Sequence, residues 1–292
     1  MNNYQQLFID LKIKLTNEIY EKYSKQINEI ARMQKKSVFT ILDEIARIIL
    51  EYNVTDAVMD ISIQEKLKLK KQMNKLINDI IKGEYESEKD IITSILNNVA
   101  EDTYYSSCYI YSIGISYTLK PVKQNVLNKI INKKIDGKTY SSRIWHNKNQ
   151  VAKTLKKEIN DFLNGKTDVN SISKNIKNRF DVNYNISNRL VRTEIAKTQC
   201  EANEVWAKEH NIKKQLFCAT LDKRTSKICQ SLDGKMFNYD DSNKPIPPLH
   251  PNCRSCLIDV IEGWKPKTRI DNETKQNINY RTYSEWKKQK KI

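Results

Sequence analysis

The chain has 292 residues, 39% of them hydrophobic, with 51 Lys and Arg against 35 Asp and Glu and a net charge of +16. No apolar run approaches the roughly 18 residues of a membrane span, and MNNYQQLFIDLKIKL lacks the basic-then-apolar order of a signal peptide; a cytoplasmic protein is expected. The positive balance suits a polyanionic neighbour, nucleic acid first, although an AT-rich genome enriching Lys, Asn and Ile gives the same composition alone.

Only six glycines and six prolines interrupt this length, which favours long helices. Leu7, Leu11, Leu15 and Ile19 recur every fourth residue and mark one face of a first helix. Val38, Ile41, Leu42, Ile45, Ile48 and Ile49 follow the i, i+3, i+4, i+7 pattern of a second. Leu76, Ile77, Ile80 and Ile81 repeat it, and so do Ile91, Ile92, Ile95, Leu96 and Val99. Between these two lies KGEYESEKD, where Gly83 reads as a stop and Ser87 with Asp90 as a new start. The aromatic and β-branched stretch YYSSCYIYSIGISYTLKP is read as helix.

INKKIDGKTYSSRIWHNKNQ breaks the pattern and reads as a connector entering a helix near residue 143. Ile144, Val151, Leu155, Ile159 and Leu163 then form a stripe that Asn164-Gly165 ends. DVNSISKNIKNRF predicts a second helix, and a third runs from about Asn185 through RLVRTEIAKTQCEANEVWAKEH. Beyond residue 211, KKQLFCATL alternates like a strand, DG at 233–234 marks a tight turn, and KMFNY returns as its partner. CLIDVI reads as a closing strand; there is no internal repeat and no Gly-rich phosphate loop.

PPLHPNCRSC places a histidine and two cysteines within seven positions, in a chain holding three His and six Cys. The prolines keep the approach to His250 extended, and Asn252 tolerates the left-handed region, so a tight turn aims His250 and Cys253 at one point. With Cys229 and Cys256 they would form a Cys₃His tetrahedral site, with structural zinc as the cofactor. Two other readings stay open. One is a metal-free turn with His250 bonded to a group such as Asp222 and the cysteines buried as small apolar residues. The other is a metal-dependent nuclease or other DNA-acting enzyme using His250 and Cys253, which needs a general base beside an open metal position. His146 and His210 fall on helical surfaces, and Asp240-Asp241 sits in a polar turn.

Taken in order, SSRIW, VRTEIAKTQCEAN, LDKRTSKICQSLDGKMF and PPLHPNCRSC resemble the phage Mu F-like minor head protein family, also called the phage head morphogenesis family. The resemblance covers about residues 137 to 262, and YRTYSEW near the end is similar to that group's tails. It falls on an Arg-Thr-Glu helix (Arg192, Thr193, Glu194), an Asp-x-x-Thr segment (Asp222, Thr225), a Leu-Asp-Gly turn (Leu232, Asp233, Gly234) and a His-Pro-x-Cys-Arg turn (His250, Pro251, Cys253, Arg254). Many members carry Cys where this chain has Ser226 and Ser255, so a zinc site carried over from the family would need Cys256 to stand in. The resemblance implies a low-copy internal protein of a tailed-phage virion, assembled in the host cytoplasm and bound near the portal. Its implied partners are the portal protein, capsid or scaffold proteins and packaged double-stranded DNA, with no membrane. The role it implies is structural, not catalytic. From the residues alone, Arg192 and Glu194 leave their helix on different sides, and either braces the following hairpin through Asp222 or Asp233 or meets a partner.

The expected fold class is α+β, predominantly α. A helical N-terminal arm (1–136) making contacts with other chains precedes a small α+β domain (137–262) with a β-hairpin and the His/Cys-rich turn. A basic, aromatic tail (263–292) follows, with two readings open: its aromatics and Lys287, Lys288, Lys290 and Lys291 meet nucleic acid or a partner, or Tyr283 and Trp286 fold back onto the domain; both hold if the aromatics anchor and the lysines reach outward.

Overall fold

The computed structural model describes residues 3–114, 121–260 and 267–290. The element order is α1 (Asn3–Ser24), a 3₁₀ turn (Lys25–Ile27), α2 (Asn28–Glu51), β1 (Val54–Thr55), β2 (Val58–Met59), α3 (Ile63–Gly114), α4 (Gln124–Ile131), α5 (Tyr140–Leu163) and α6 (Ile172–Glu209). It continues with β3 (Lys214–Cys218), α7 (Lys227–Leu232), β4 (Met236–Asn238), β5 (Cys256–Val260), β6 (Thr268–Asp271), β7 (Gln276–Asn279) and α8 (Tyr283–Lys290). The class is predominantly α with small antiparallel sheets, as expected. No described helix is long and apolar enough to cross a membrane.

Contacts divide the chain into two compact units that are not consecutive in sequence. One comprises residues 1–26, 94–133 and 189–292; the other comprises 27–93 and 134–188. This grouping cuts across the linear division at 136 and 262, because α1 and the last part of α3 pack with the C-terminal strands.

The unit built from 27–93 and 134–188 is a helical bundle. Ile41, Ile45 and Ile48 of α2 meet Met73 and Ile77 of α3, Leu155 and Ile159 of α5, and Ile172 and Ile176 of α6 in one buried cluster. The expected break at KGEYESEKD does not occur: α3 is one helix of 52 residues. Its polar middle has an internal cause. Glu84 and Glu88, one turn apart, both face inward and bind the Lys148 ammonium at 2.8 and 2.7 Å, all three side chains being 1–2% exposed. Two helix starts carry capping chemistry that the apolar pattern alone did not reveal. At the first, the Ser62 backbone N–H and hydroxyl both donate to the Glu65 carboxylate, and the Glu65 N–H donates back to the Ser62 hydroxyl. At the second, Thr139 caps α5, accepting from the Ser142 N–H, so the helix begins at Tyr140 and not near 143. The stripe from Ile144 to Leu163 is buried, and Gly165 at φ +73° turns the chain where a Cβ would stand 2.8 Å from Val58 Cγ1. The two helices expected from 168 to 210 are one, α6, of 38 residues. The polar DVNYN between them carries neither Gly nor Pro, and its Asn183 is wholly buried, donating to Glu84 at 3.5 Å.

The other unit is built on a three-stranded antiparallel sheet in the order β4-β3-β5. Leu216 faces Met236 on one side and Ile258 on the other. Strand alternation sends Leu216, Cys218, Ile258 and Val260 to one face, against Ile13 of α1, Tyr104, Cys108 and Ile110 of α3 and Trp206 of α6. Phe217 and Leu257 point to the other face, where Cys229 and Cys253 lie. On α1 the buried face differs from the leucine stripe. Ile13, Ile19 and Lys12 are buried, Leu11 and Leu15 only partly so, and Leu7 is 43% exposed. β3 and β4 do pair, but they are not a tight DG hairpin, because α7 is inserted between them. The Asp233-Gly234 turn then re-enters the sheet, Gly234 at φ +78° donating its N–H to the Phe217 carbonyl at 2.9 Å.

The expected tail is folded. β6 and β7 form a hairpin joined to Leu221 by a parallel bridge at Asp271. Tyr283 and Trp286 are 3% and 0% exposed and pack with Leu221, so the fold-back of these two aromatics is what the structure shows. Lys287 and Lys288 are exposed on α8, and Lys290 is engaged by Asp271 at 2.9 Å. Lys291 lies outside the described residues.

Candidate metal centre

Three of the four ligands expected from sequence come together. One ligand atom each from Cys229, His250 and Cys253 lies within 4.8 Å of the others, with Cys229 Sγ 3.7 Å from Cys253 Sγ and 3.3 Å from His250 Nε2. Each side chain is placed by local geometry. Ser226 caps α7, accepting from the Cys229 N–H, which sets Cys229 on the inner face of that short helix. Asn252 at φ +58° closes the turn in which the Cys253 N–H donates to the His250 carbonyl at 3.1 Å.

His250 Nδ1 stands 2.9 Å from the Pro251 carbonyl, an acceptor only, so Nδ1 carries the proton. That tautomer leaves the Nε2 lone pair facing Cys229 Sγ and the Ser226 hydroxyl, the latter at 2.8 Å. The Cys229 and Cys253 sulfurs share a hydrogen bond, and this bond pushes Cys253 down to about 6 while raising Cys229. Backbone N–H groups of Leu249 and Ser255 also point at the Cys253 sulfur.

Cys256 is not part of this group. It lies next to Leu257 on β5, and alternation turns it to the opposite face, with Cys218 and Ile258. The expected Cys₃His set is therefore corrected to Cys₂His, held between α7 and the turn after Leu249.

Residues 149–258 match the family described as Phage Mu protein F like protein. That segment is phage Mu F-like. Minor head protein GP7 of Bacillus phage SPP1 is 23% identical, the match covering 95% of this chain and 96% of that one. NAD(+)--arginine ADP-ribosyltransferase EFV of Enterococcus faecalis (strain ATCC 700802 / V583) is 25% identical over 98% of this chain. The chain spans only about half of that second relative, 55% of its length. No solved structure matches.

Within the Mu F-like segment the motif residues serve the turn and the sheet. Thr193 Oγ1 accepts from the Asn252 N–H at 3.0 Å, so the Arg-Thr-Glu helix holds the histidine turn through its threonine. Glu194 is not a brace for the hairpin; it is buried and pairs with Lys197 at 2.5 Å, whose ammonium also bonds the Ile131 and Lys133 carbonyls at the end of α4. Arg192 lies beside Tyr20 of α1. The braces on Asp222 and Asp233 are other arginines. Arg254 forks onto Asp222 at 2.6 and 2.9 Å, and Thr225 and the Arg224 N–H add further bonds to that carboxylate. Arg269 forks onto Asp233 at 2.7 and 2.8 Å, with the Ala219 and Tyr283 N–H groups completing the carboxylate's partners. Arg254 stands immediately after Cys253 and was visible in the sequence. Arg269 lies past the Mu F-like segment and no spacing pointed to it.

Of the remaining expected groups, His146 is exposed and Asp240 and Asp241 are exposed. His210 stacks on Trp206 at 4.3 Å.

Proposed function

We propose that this protein is a minor capsid protein of a tailed phage, a structural component acting in head assembly near the portal, inside the capsid and facing packaged double-stranded DNA. The observation that carries the reading is the match to the SPP1 minor head protein, which runs nearly end to end on both chains. Its partners on this reading are the portal protein and capsid or scaffold proteins. Exposed Lys287 and Lys288, in a chain of net charge +16, supply the contact with phosphates.

The Cys229-His250-Cys253 centre serves the same role as a structural zinc site that ties α7 to the histidine turn. Metal-assisted catalysis needs a general base beside the metal. The motif carboxylates Asp222 and Asp233 are instead held by the Arg254 and Arg269 forks. The activity named for the enterococcal relative is not extended to this chain, which spans about half of that protein.

The test is co-expression with the portal protein of the same phage. Recovery of a portal ring carrying this chain is expected, and heads assembled without it should be defective. A portal ring that never retains the chain, together with normal heads in its absence, would refute the assignment.

A further inference from the structure

The zinc reading leaves one coordination position unassigned, and the geometry says what fills it. A tetrahedral zinc ion with bonds of about 2.3 Å to sulfur and about 2.0 Å to nitrogen has S–S and S–N edges of about 3.8 and about 3.5 Å. The Cys229–Cys253 and Cys229–His250 separations of 3.7 and 3.3 Å come close to these edges. The histidine tautomer is also already set by Pro251, so three ligands are arranged for a metal before any metal is bound.

No fourth thiol is available. All six cysteines are described and free, and only Cys229 and Cys253 belong to the cluster. Cys108, Cys218 and Cys256 pack on the opposite face of the sheet, and Cys200 sits on α6 beside Cys256. The donor next to Cys229 and His250 is an oxygen. Ser226 Oγ is 2.8 Å from His250 Nε2 and caps the helix that carries Cys229. Ser255, the other nearby serine, is only 4% exposed and directs its hydroxyl to the two sulfurs. His250 itself is half-buried, so the centre has a solvent-side edge.

We propose that this is a three-ligand Cys₂His zinc centre whose fourth position, on the Ser226 side, holds an exchangeable oxygen donor that a small thiol can replace. The inference rests on the zinc reading above and extends it: the centre is open at one corner, not closed. When a thiol enters, its sulfur forms the new metal bond, the oxygen donor leaves as water or free hydroxyl, and the thiol proton passes to solvent.

The full-length protein loaded with Co(II) as a spectroscopic probe tests this. One Co(II) per chain is expected, displaceable by Zn(II), with a sulfur-to-metal charge-transfer band of two thiolates. Added 2-mercaptoethanol should raise that band by one further thiolate. Ser226→Cys should show three thiolates without added thiol, bind metal at least about tenfold tighter and no longer respond to 2-mercaptoethanol. Ser226→Ala should still bind one Co(II) and still respond. Failure to bind Co(II) or Zn(II) stoichiometrically overturns both the zinc reading and this inference. One bound metal with three thiolates already in the wild type, or a Ser226→Cys protein spectrally identical to it, overturns the open position alone.

Discussion

At the scale of single residues, the Mu F-like segment is held by two arginine–aspartate forks rather than by the pairs its motifs suggested. The Arg269–Asp233 pair is the more buried, the two side chains being 3% and 1% exposed. Removing one partner leaves an uncompensated buried charge, so Arg269→Met should cost about 3–5 kcal/mol in urea unfolding, and adding Asp233→Asn should recover part of it. A double variant no more stable than the single one would show that the carboxylate is not the source of the loss. Asp222 gives a pH signature. Burial pushes its carboxyl up, but the hydrogen bonds and charge of Arg254 outweigh this and hold it below the usual value of 3.8. Because the folded value is the lower one, the pair's stability is fully present above 3.8 and is lost as pH falls through the depressed value. The stability gap between wild type and Asp222→Asn should therefore be constant near neutrality and close only in strong acid. A gap that closes near neutral pH would assign it to another group. Thr193 shows what a motif cannot say: it sits between two charged residues that stand out in the sequence, yet its hydroxyl is the group that touches the histidine turn.

At the scale of elements, the sequence told where helices are but not how many. Apolar periodicity located α2 and α5 because each buries one stripe of its surface, and β3 and β5 because each is a short apolar run, buried on both faces of the sheet. It fails at KGEYESEKD because charge there does not mean exposure. Glu84 and Glu88 are buried only because Lys148 arrives from a helix sixty residues later, and no local pattern encodes that arrival. Two substitutions test the continuous helix. Gly83 sits in its interior with nothing within 4 Å of the position a Cβ would take, so Gly83→Ala should stabilise by about 0.5–1 kcal/mol. A helix break there would make the same change neutral or harmful. Lys148→Met should destabilise by about 3–5 kcal/mol, since two carboxylates would then share an apolar site, and Glu84→Gln with Glu88→Gln should offset much of it. The same limit explains Cys256. Spacing along the chain offered it as a fourth ligand, but the two-residue period of β5 sends it to the other face of the sheet.

At the scale of the whole molecule, the fold class was legible from composition and period, whereas the grouping of the chain was not. Family motifs end near residue 262, and a boundary drawn from motifs leaves α1 outside. Yet Ile13 of α1 and Tyr104, Cys108 and Ile110 of α3 cover the sheet face formed by Leu216, Cys218, Ile258 and Val260. Lys12 also reaches the buried Asp259 of β5 at 3.6 Å, and Trp286 of α8 donates to Asp271 at 3.0 Å. A fragment of residues 137–262 therefore lacks one cover of its central sheet, the ion-pair partner of Asp259 and the Arg269 that satisfies Asp233. Leaving an apolar sheet face uncovered and two buried carboxylates without their cations costs several kcal/mol each, as much as a domain's whole stability. That fragment should be soluble only poorly and melt without a cooperative transition, while the full chain melts cooperatively and shows dispersed methyl resonances. Restoring residues 1–26, 94–133 and 263–292 should recover cooperativity. A cooperatively folding 137–262 fragment would mean that the motif-bearing segment is self-sufficient and that α1 is an accessory to it.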